Sequence, residues 1–236
     1  MHESYQFNKG QNMITVHHLN NSRSQRILWM LEELGVEYKV KHYQRDIDTQ
    51  LAPAELFDIH PLGKSPVITD DANDVEIIVA ESGAIIEYLA NAYGKEMVPD
   101  KNTTAYRQYI YWLHFSEGSL MPQLLLKLIF DKIKIAAMPF FIKPIAKGIA
   151  NKVLSGYVLP NVKNNMDFVE QHLSKNKWFA GESMTGADIQ MSFPLEASMT
   201  RTDMSDYPNT KAYVKKIQAL KTYKKALEVG GPYDYA

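Results

Sequence analysis

The sequence predicts an α/β domain followed by an all-α domain. Short β-branched runs alternate with helical periodicity only before residue 97. A polar, proline-containing stretch at 97–103 then interrupts the pattern. Beyond it, apolar residues recur at three- and four-residue spacing, and no strand signal of comparable strength returns.

The elements follow in order. Ile14–Leu19 is a β-branched run, and Asn20-Asn21-Ser22 reads as the turn that ends it. From Ser24, apolar Ile27, Leu28, Leu31 and Leu34 recur at helical spacing until Gly35 stops the helix. Tyr38–Tyr43 is a second strand, and 53–59 a short helical turn. Ser65-Pro66-Val67-Ile68 and 75–79, joined through acidic residues 70–74, read as an antiparallel hairpin. Ser82–Tyr93 is a helix closed by Gly94. The order βαβ-α-ββα is that of a thioredoxin-like fold. After the linker, 104–135 and 145–173 are long amphipathic helical segments, and 185–198, 207–220 and 222–229 shorter ones. The predicted organisation is a thioredoxin-like domain at 13–96 and a helical-bundle domain at 103–229, with 1–12 a polar leader or extension.

Composition narrows the function. The 236 residues are 45% hydrophobic and 22% charged with a net charge of −1, so nothing marks a nucleic-acid binder. With no cysteine, structural disulfides, thiolate metal sites and a protein-thiol nucleophile are excluded. A disulfide-free chain fits a reducing compartment, hence a cytoplasmic protein. The most apolar stretch, 124–150, carries Lys127, Asp131, Lys132, Lys134, Lys143 and Lys147. Those charges argue against stable membrane insertion and for an amphipathic helix pair joined through Pro139 and Pro144, with attachment to a membrane surface as the lesser reading.

Three motifs carry chemistry. Asn21-Ser22-Arg23-Ser24-Gln25-Arg26 places hydroxyls and amides at a helix N-terminus. The plain reading is helix capping; the functional one is an electropositive helix end that holds an anion, such as the thiolate of a bound cofactor. In His60-Pro61-Leu62-Gly63-Lys64-Ser65-Pro66-Val67, a proline opens a strand. A cis Ser65–Pro66 bond would turn the Ser65 backbone toward an extended peptide, and the plain alternative is a turn into a strand. Glu81-Ser82 directly precedes a helix, where Ser82 either caps it or, with the backbone amides, takes a carboxylate while Glu81 takes an ammonium group. His17 and His18 lie on opposite faces of a strand and cannot form a metal pair by themselves.

Each motif alone is ordinary, but their order and spacing resemble the glutathione-binding half of the serine-type glutathione transferases. The resemblance is closest to the bacterial and fungal branch, whose members begin with a strand and turn like His17-His18-Leu19-Asn20-Asn21-Ser22-Arg23-Ser24. Residues 178–189, Trp-Phe-Ala-Gly-Glu-Ser-Met-Thr-Gly-Ala-Asp-Ile, are similar to the family's folding signature, with Thr185 and Asp188 as a capping box. The resemblance covers about Met13 to Ala226.

The resemblance implies that Ser22 is the catalytic, thiol-activating hydroxyl, with Asn21 and Ser24 as competitors. It implies that Ser65 pairs its backbone with the cysteinyl unit of glutathione and that Glu81 and Ser82 bind the γ-glutamyl head. Lys64 would reach a carboxylate of the tripeptide, and Gln50 would grip the glycyl end. Tyr111, His114 and Phe115 would border the pocket of the second substrate. The strand-one tyrosine and the catalytic cysteine of other members are absent. The implied activity is addition of glutathione thiolate to a small electrophile by a homodimer, with glutathione as co-substrate and no metal. Two alternatives stay open: a glutathione-dependent peroxidase or disulfide reductase, and a non-catalytic glutathione-binding regulatory module.

Overall fold

A computed structural model describes residues 13–71 and 75–236. The expected leader at 1–12 and residues 72–74 of the acidic turn lie outside the described residues. Elements in chain order are β1 (Ile14–Leu19), α1 (Ser24–Leu34), β2 (Tyr38–Tyr43), β3 (Val67–Asp70), β4 (Ile77–Ala80) and α2 (Ser82–Tyr93). Helices α3 (Thr104–Phe115), α4 (Met121–Ile135), α5 (Lys143–Val153), α6 (Leu159–Leu173), α7 (Gly186–Arg201), α8 (Pro208–Gln218) and α9 (Lys221–Gly230) follow. A 3₁₀ turn at Ala54–Asp58 stands where the short helical turn was expected.

The strands form one sheet in the order β2-β1-β3-β4. β1 pairs parallel with β2, and β3 runs antiparallel to both β1 and β4. This is the mixed sheet of a thioredoxin-like domain. β3 begins two residues later than the Ser65 start suggested, because Pro66 has no N–H to give a ladder. β4 begins at Ile77 rather than residue 75.

The chain divides into two compact units. One takes in residues up to Lys95 together with Lys221–Asp234, the other Glu96–Leu220 with the last two residues. In the first unit every side chain from Ser24 to Leu31 is buried, so α1 is covered on more than one side. The last helix supplies part of that cover. Trp29 meets Tyr223 edge to face at 5.4 Å, and Lys225 pairs with Glu32 at 2.7 Å. A Cβ at Gly230 would lie 2.3 Å from Gln25 Oε1 and 3.0 Å from Leu28 Cδ1, so the end of α9 lies close against the side chains of α1. The helical stretch at 222–229 thus packs with the sheet unit, and its amphipathic pattern could not say which core it would join.

In the second unit, α3 runs into α4 and α5 into α6 through π-helical turns at Ser116–Leu120 and Leu154–Val158. Each is followed two residues later by a proline, Pro122 or Pro160, which cannot donate the backward hydrogen bond, and the ladder widens there. Helix α7 is buried from Gly186 to Ser198 and forms the centre of this unit. The capping box at its start is present: Thr185 and Asp188 exchange side-chain and backbone bonds. Asp188 also accepts from the Phe179 N–H at 2.9 Å and the Tyr213 hydroxyl at 2.6 Å.

Candidate functional site

The expected glutathione-contacting residues all stand on the first unit, with Ser22 and Ser82 at the starts of α1 and α2 and Ser65 bonded to β1. Ser22 does not hold the cap position of α1. Arg23 holds it, in a helical conformation, and makes no side-chain capping bond. Ser22 Oγ instead accepts the Ser24 N–H at 3.1 Å and lies 2.7 Å from Ser24 Oγ. Ser24 is fully buried, and its hydroxyl meets His18 Nδ1 at 2.9 Å and accepts the Leu19 N–H at 3.2 Å. Burial, then the neighbouring charge of His42, pulls the His18 pKa down to about 4, against a bond to the Gly230 backbone. His18 is therefore a neutral imidazole at pH 7.

Ser82 does not cap α2 either. Glu81 occupies the cap position at φ 70°, with no side-chain capping bond. The Ser82 hydroxyl accepts from the buried guanidinium of Arg26, which joins the first turn of α2 to that of α1. Neither residue at a cap position, Arg23 or Glu81, makes a side-chain capping bond, and at α1 the first amide goes to Ser22 Oγ. A buried cation stands beside the start of α2, an arrangement suited to a carboxylate.

The Ser65–Pro66 peptide is cis, and Ser65 Oγ donates to the His17 carbonyl at 2.8 Å. The approach to it turns at Gly63, at φ 55°, where a Cβ would meet the Phe57 ring at 2.6 Å. Lys64 is exposed and has no ion-pair partner among the described residues. Gln50 is exposed, with its side-chain amide donating to the Ile47 carbonyl at 3.0 Å.

Among the described residues, the non-glycine positions with left-handed backbone are Asn21, Gln50 and Glu81. Such conformations cost about 1 kcal/mol or more each and gather at functional sites. Here two are residues expected to bind glutathione and the third adjoins Ser22. Asn21 is held there by Asp234, whose carboxylate accepts from Nδ2 at 2.8 Å and whose N–H donates to Oδ1 at 2.9 Å.

On the second unit, Tyr111 is half exposed and stacks on Phe115 at 5.8 Å. Phe115 is buried, in ring contact with Trp112 and Phe168. His114 is exposed. Among the described residues no group of carboxylates and histidines could hold a metal ion. His17 and His18 turn to opposite faces, toward Tyr43 and Ser24 respectively.

Sequence reasoning named Arg26 only as nearby positive charge and gave His18 no partner. An arginine four residues after the turn, in the first turn of an otherwise apolar helix, was the available signal for the first. Nothing local announces the second, since His18 meets Ser24 only once the strand and helix have folded back on one another.

Comparison with known proteins accords with this geometry. Residues 11–91 match the family model "Glutathione S-transferase, N-terminal domain", and residues 131–221 match "Glutathione S-transferase, C-terminal domain". The chain belongs to the glutathione S-transferase family. It is 40% identical to Glutathione S-transferase 3 of Schizosaccharomyces pombe over 85% of this chain and 78% of that one. It is 37% identical to Glutathione S-transferase 1 of Saccharomyces cerevisiae, over 89% of this chain and 92% of that one. A crystal structure of a glutathione S-transferase from Actinobacillus pleuropneumoniae is similar at a TM-score of 0.74 and 34% identity, covering 94% and 95% of the two chains.

Proposed function

We propose that the protein is a glutathione transferase in which the Ser22 hydroxyl stabilises the thiolate of bound glutathione for attack on a small electrophile. The observation that carries the reading is the link from Arg26 to Ser82. It joins the first turns of α1 and α2, with a cation buried beside the helix start that would receive the γ-glutamyl carboxylate. Glu81, exposed at the same helix start, takes the ammonium group of that head. The Ser65 backbone pairs with the cysteinyl unit, Lys64 meets a free carboxylate, and Gln50 the glycyl end. Tyr111, His114 and Phe115 border the electrophile.

Energetics are sufficient. A free thiol has a pKa of about 8.5, and lowering it by two units needs about 2.7 kcal/mol. One hydrogen bond to a charged sulfur contributes about 1.5–3 kcal/mol, and a helix N-terminus up to about 1 more. No base of unusual strength is required. Because the chain has no cysteine, any peroxidase or disulfide-reductase turnover would draw both thiols from glutathione.

The working form is a cytoplasmic homodimer. One face of α2, with Ala84, Glu87, Tyr88, Asn91 and Ala92, lines an open groove suited to a second copy. No helix among the described residues is long and apolar enough to cross a membrane.

Titration calorimetry with glutathione tests the reading, followed by turnover with aryl halides, hydroperoxides and mixed disulfides. Affinity weakened in Ser82→Ala and Glu81→Ala, with turnover on aryl halides in the parent protein, is the expected result. Absence of any heat at millimolar glutathione would sink it.

A further inference from the structure

The hairpin made by α4, α5 and their turn exposes apolar side chains in unusual density. In the turn and just before it, Ile135 is 79% exposed, Phe140 85% and Phe141 64%. On α5, Ile145 and Ile149 lie one helical turn apart and are both exposed. On α4, Leu125, Ile129 and Ile133 recur at four-residue spacing and are exposed too. Each arm therefore carries an outward apolar stripe, and an aromatic pair stands between them. Soluble surfaces seldom leave such a patch bare unless something covers it.

Charge identifies the cover. Residues 127–152 hold six lysines and one acid, Asp131, a balance of +5 in a chain whose total is −1. Lys127 and Lys134 spend their charge on Asp131, at 2.7 and 2.6 Å. Lys132, Lys143, Lys147 and Lys152 are exposed and have no ion-pair partner among the described residues. A second copy seated on this hairpin by a two-fold axis would bring that positive charge against itself. An anionic lipid surface accepts both features: the aromatic and isoleucine side chains enter the acyl boundary, while the lysine heads stay among phosphates. No described helix is long and apolar enough to cross the bilayer, so the hairpin lies on it.

We infer that the α4–α5 hairpin docks the protein reversibly on membranes rich in anionic lipid. Neither half of the signal suffices alone, because a short apolar patch binds weakly and a polybasic patch is screened by salt.

The test is flotation of the full chain with vesicles of phosphatidylglycerol and phosphatidylcholine, against vesicles of phosphatidylcholine alone. Binding is expected on the anionic vesicles only, and lost on raising salt from about 0.05 M to about 0.5 M. The double variant Lys143→Glu/Lys147→Glu should bind at least about tenfold less well, given a several-fold contribution from each lysine near such a surface. The double variant Phe140→Ser/Phe141→Ser should lose binding as well. Both should keep the parent's melting midpoint and glutathione turnover, which separates this inference from the catalytic reading. No flotation with anionic vesicles, equal flotation with neutral ones, or binding untouched in both variants overturns it. So does sedimentation in which the phenylalanine variant falls from dimer to monomer without any vesicle binding by the parent.

Discussion

At the scale of single residues, the order of hydrogens among His18, Ser24 and Ser22 decides how strongly the thiol is activated. The neutral His18 ring bonds the Gly230 backbone, a donor's role toward a carbonyl, which leaves Nδ1 to accept from Ser24. Ser24 then has no hydrogen for Ser22, so at rest Ser22 donates to Ser24 across 2.7 Å. Turning that hydrogen to a sulfur gives up an existing bond, and the net gain is modest. Ser22→Ala should therefore raise the bound thiol's pKa by about one unit and slow turnover at neutral pH about tenfold. Ser24→Ala strips partners from the buried His18 and Leu19 groups and should cost about 1–3 kcal/mol of stability, with a smaller effect on the thiol. Thiolate absorbance followed across pH in both variants checks this; a larger shift in Ser24→Ala would reassign the activating group. His18 also ties stability to pH. Its folded pKa of about 4 lies below the unfolded 6.5, so the unfolded chain binds the proton more readily. The contribution is complete above pH 6.5 and is lost as pH falls toward 4, by about 3 kcal/mol in all. Urea midpoints taken over that range should fall steeply in the parent protein and less steeply in His18→Gln.

At the scale of elements, periodicity and stop residues made most boundaries legible. β1, α1, β2 and α2 stand where β-branched runs, Gly35 and Gly94 place them, and the Thr185–Asp188 box is local enough to read directly. The propensity of serine for helix starts is statistical: here Arg23 and Glu81 take the cap positions, and Ser22 meets only the first amide of α1 while Ser82 turns to Arg26. The site residues were legible through motif order, yet the bonds that hold them join positions far apart in sequence, such as Arg26 with Ser82 and Asn21 with Asp234. The start of α7 gives a direct test of an element held by one side chain. Asp188 is fully buried, and burial pushes its carboxyl above the usual range while bonds from Tyr213, Phe179 and Thr185 oppose that. Asp188→Ala leaves those donors without an acceptor and should cost about 3–5 kcal/mol in urea unfolding. Asp188→Asn, which keeps one acceptor oxygen, should cost less. Equal, small losses would remove the box from the account of this unit's stability.

At the scale of the whole molecule, the chain leaves its first unit at Lys95 and returns to it at Lys221. No composition shift announces the return, because α9 looks like any short amphipathic helix, and only the partners of Tyr223 and Gly230 reveal its place. The consequence is thermodynamic. Without α9, the face of α1 that carries Trp29 would meet water, as would Tyr223's share of the contact, and burying a large apolar side chain is worth about 1.5–3 kcal/mol. The bonds from Thr222 to Glu33 and from Lys225 to Glu32 would go too. A domain of under a hundred residues has little stability to spare, so losses of this size approach the whole. The fragment 13–95 alone should therefore show a broad thermal transition and bind a hydrophobic dye. The same fragment joined by a flexible linker to residues 221–236 should melt cooperatively, because the returning helix again closes over α1. Circular dichroism melting of the two fragments side by side decides the matter. Equal cooperativity in both would mean that the sheet and its own two helices suffice, and that α9 is an addition to this unit rather than a part of its core.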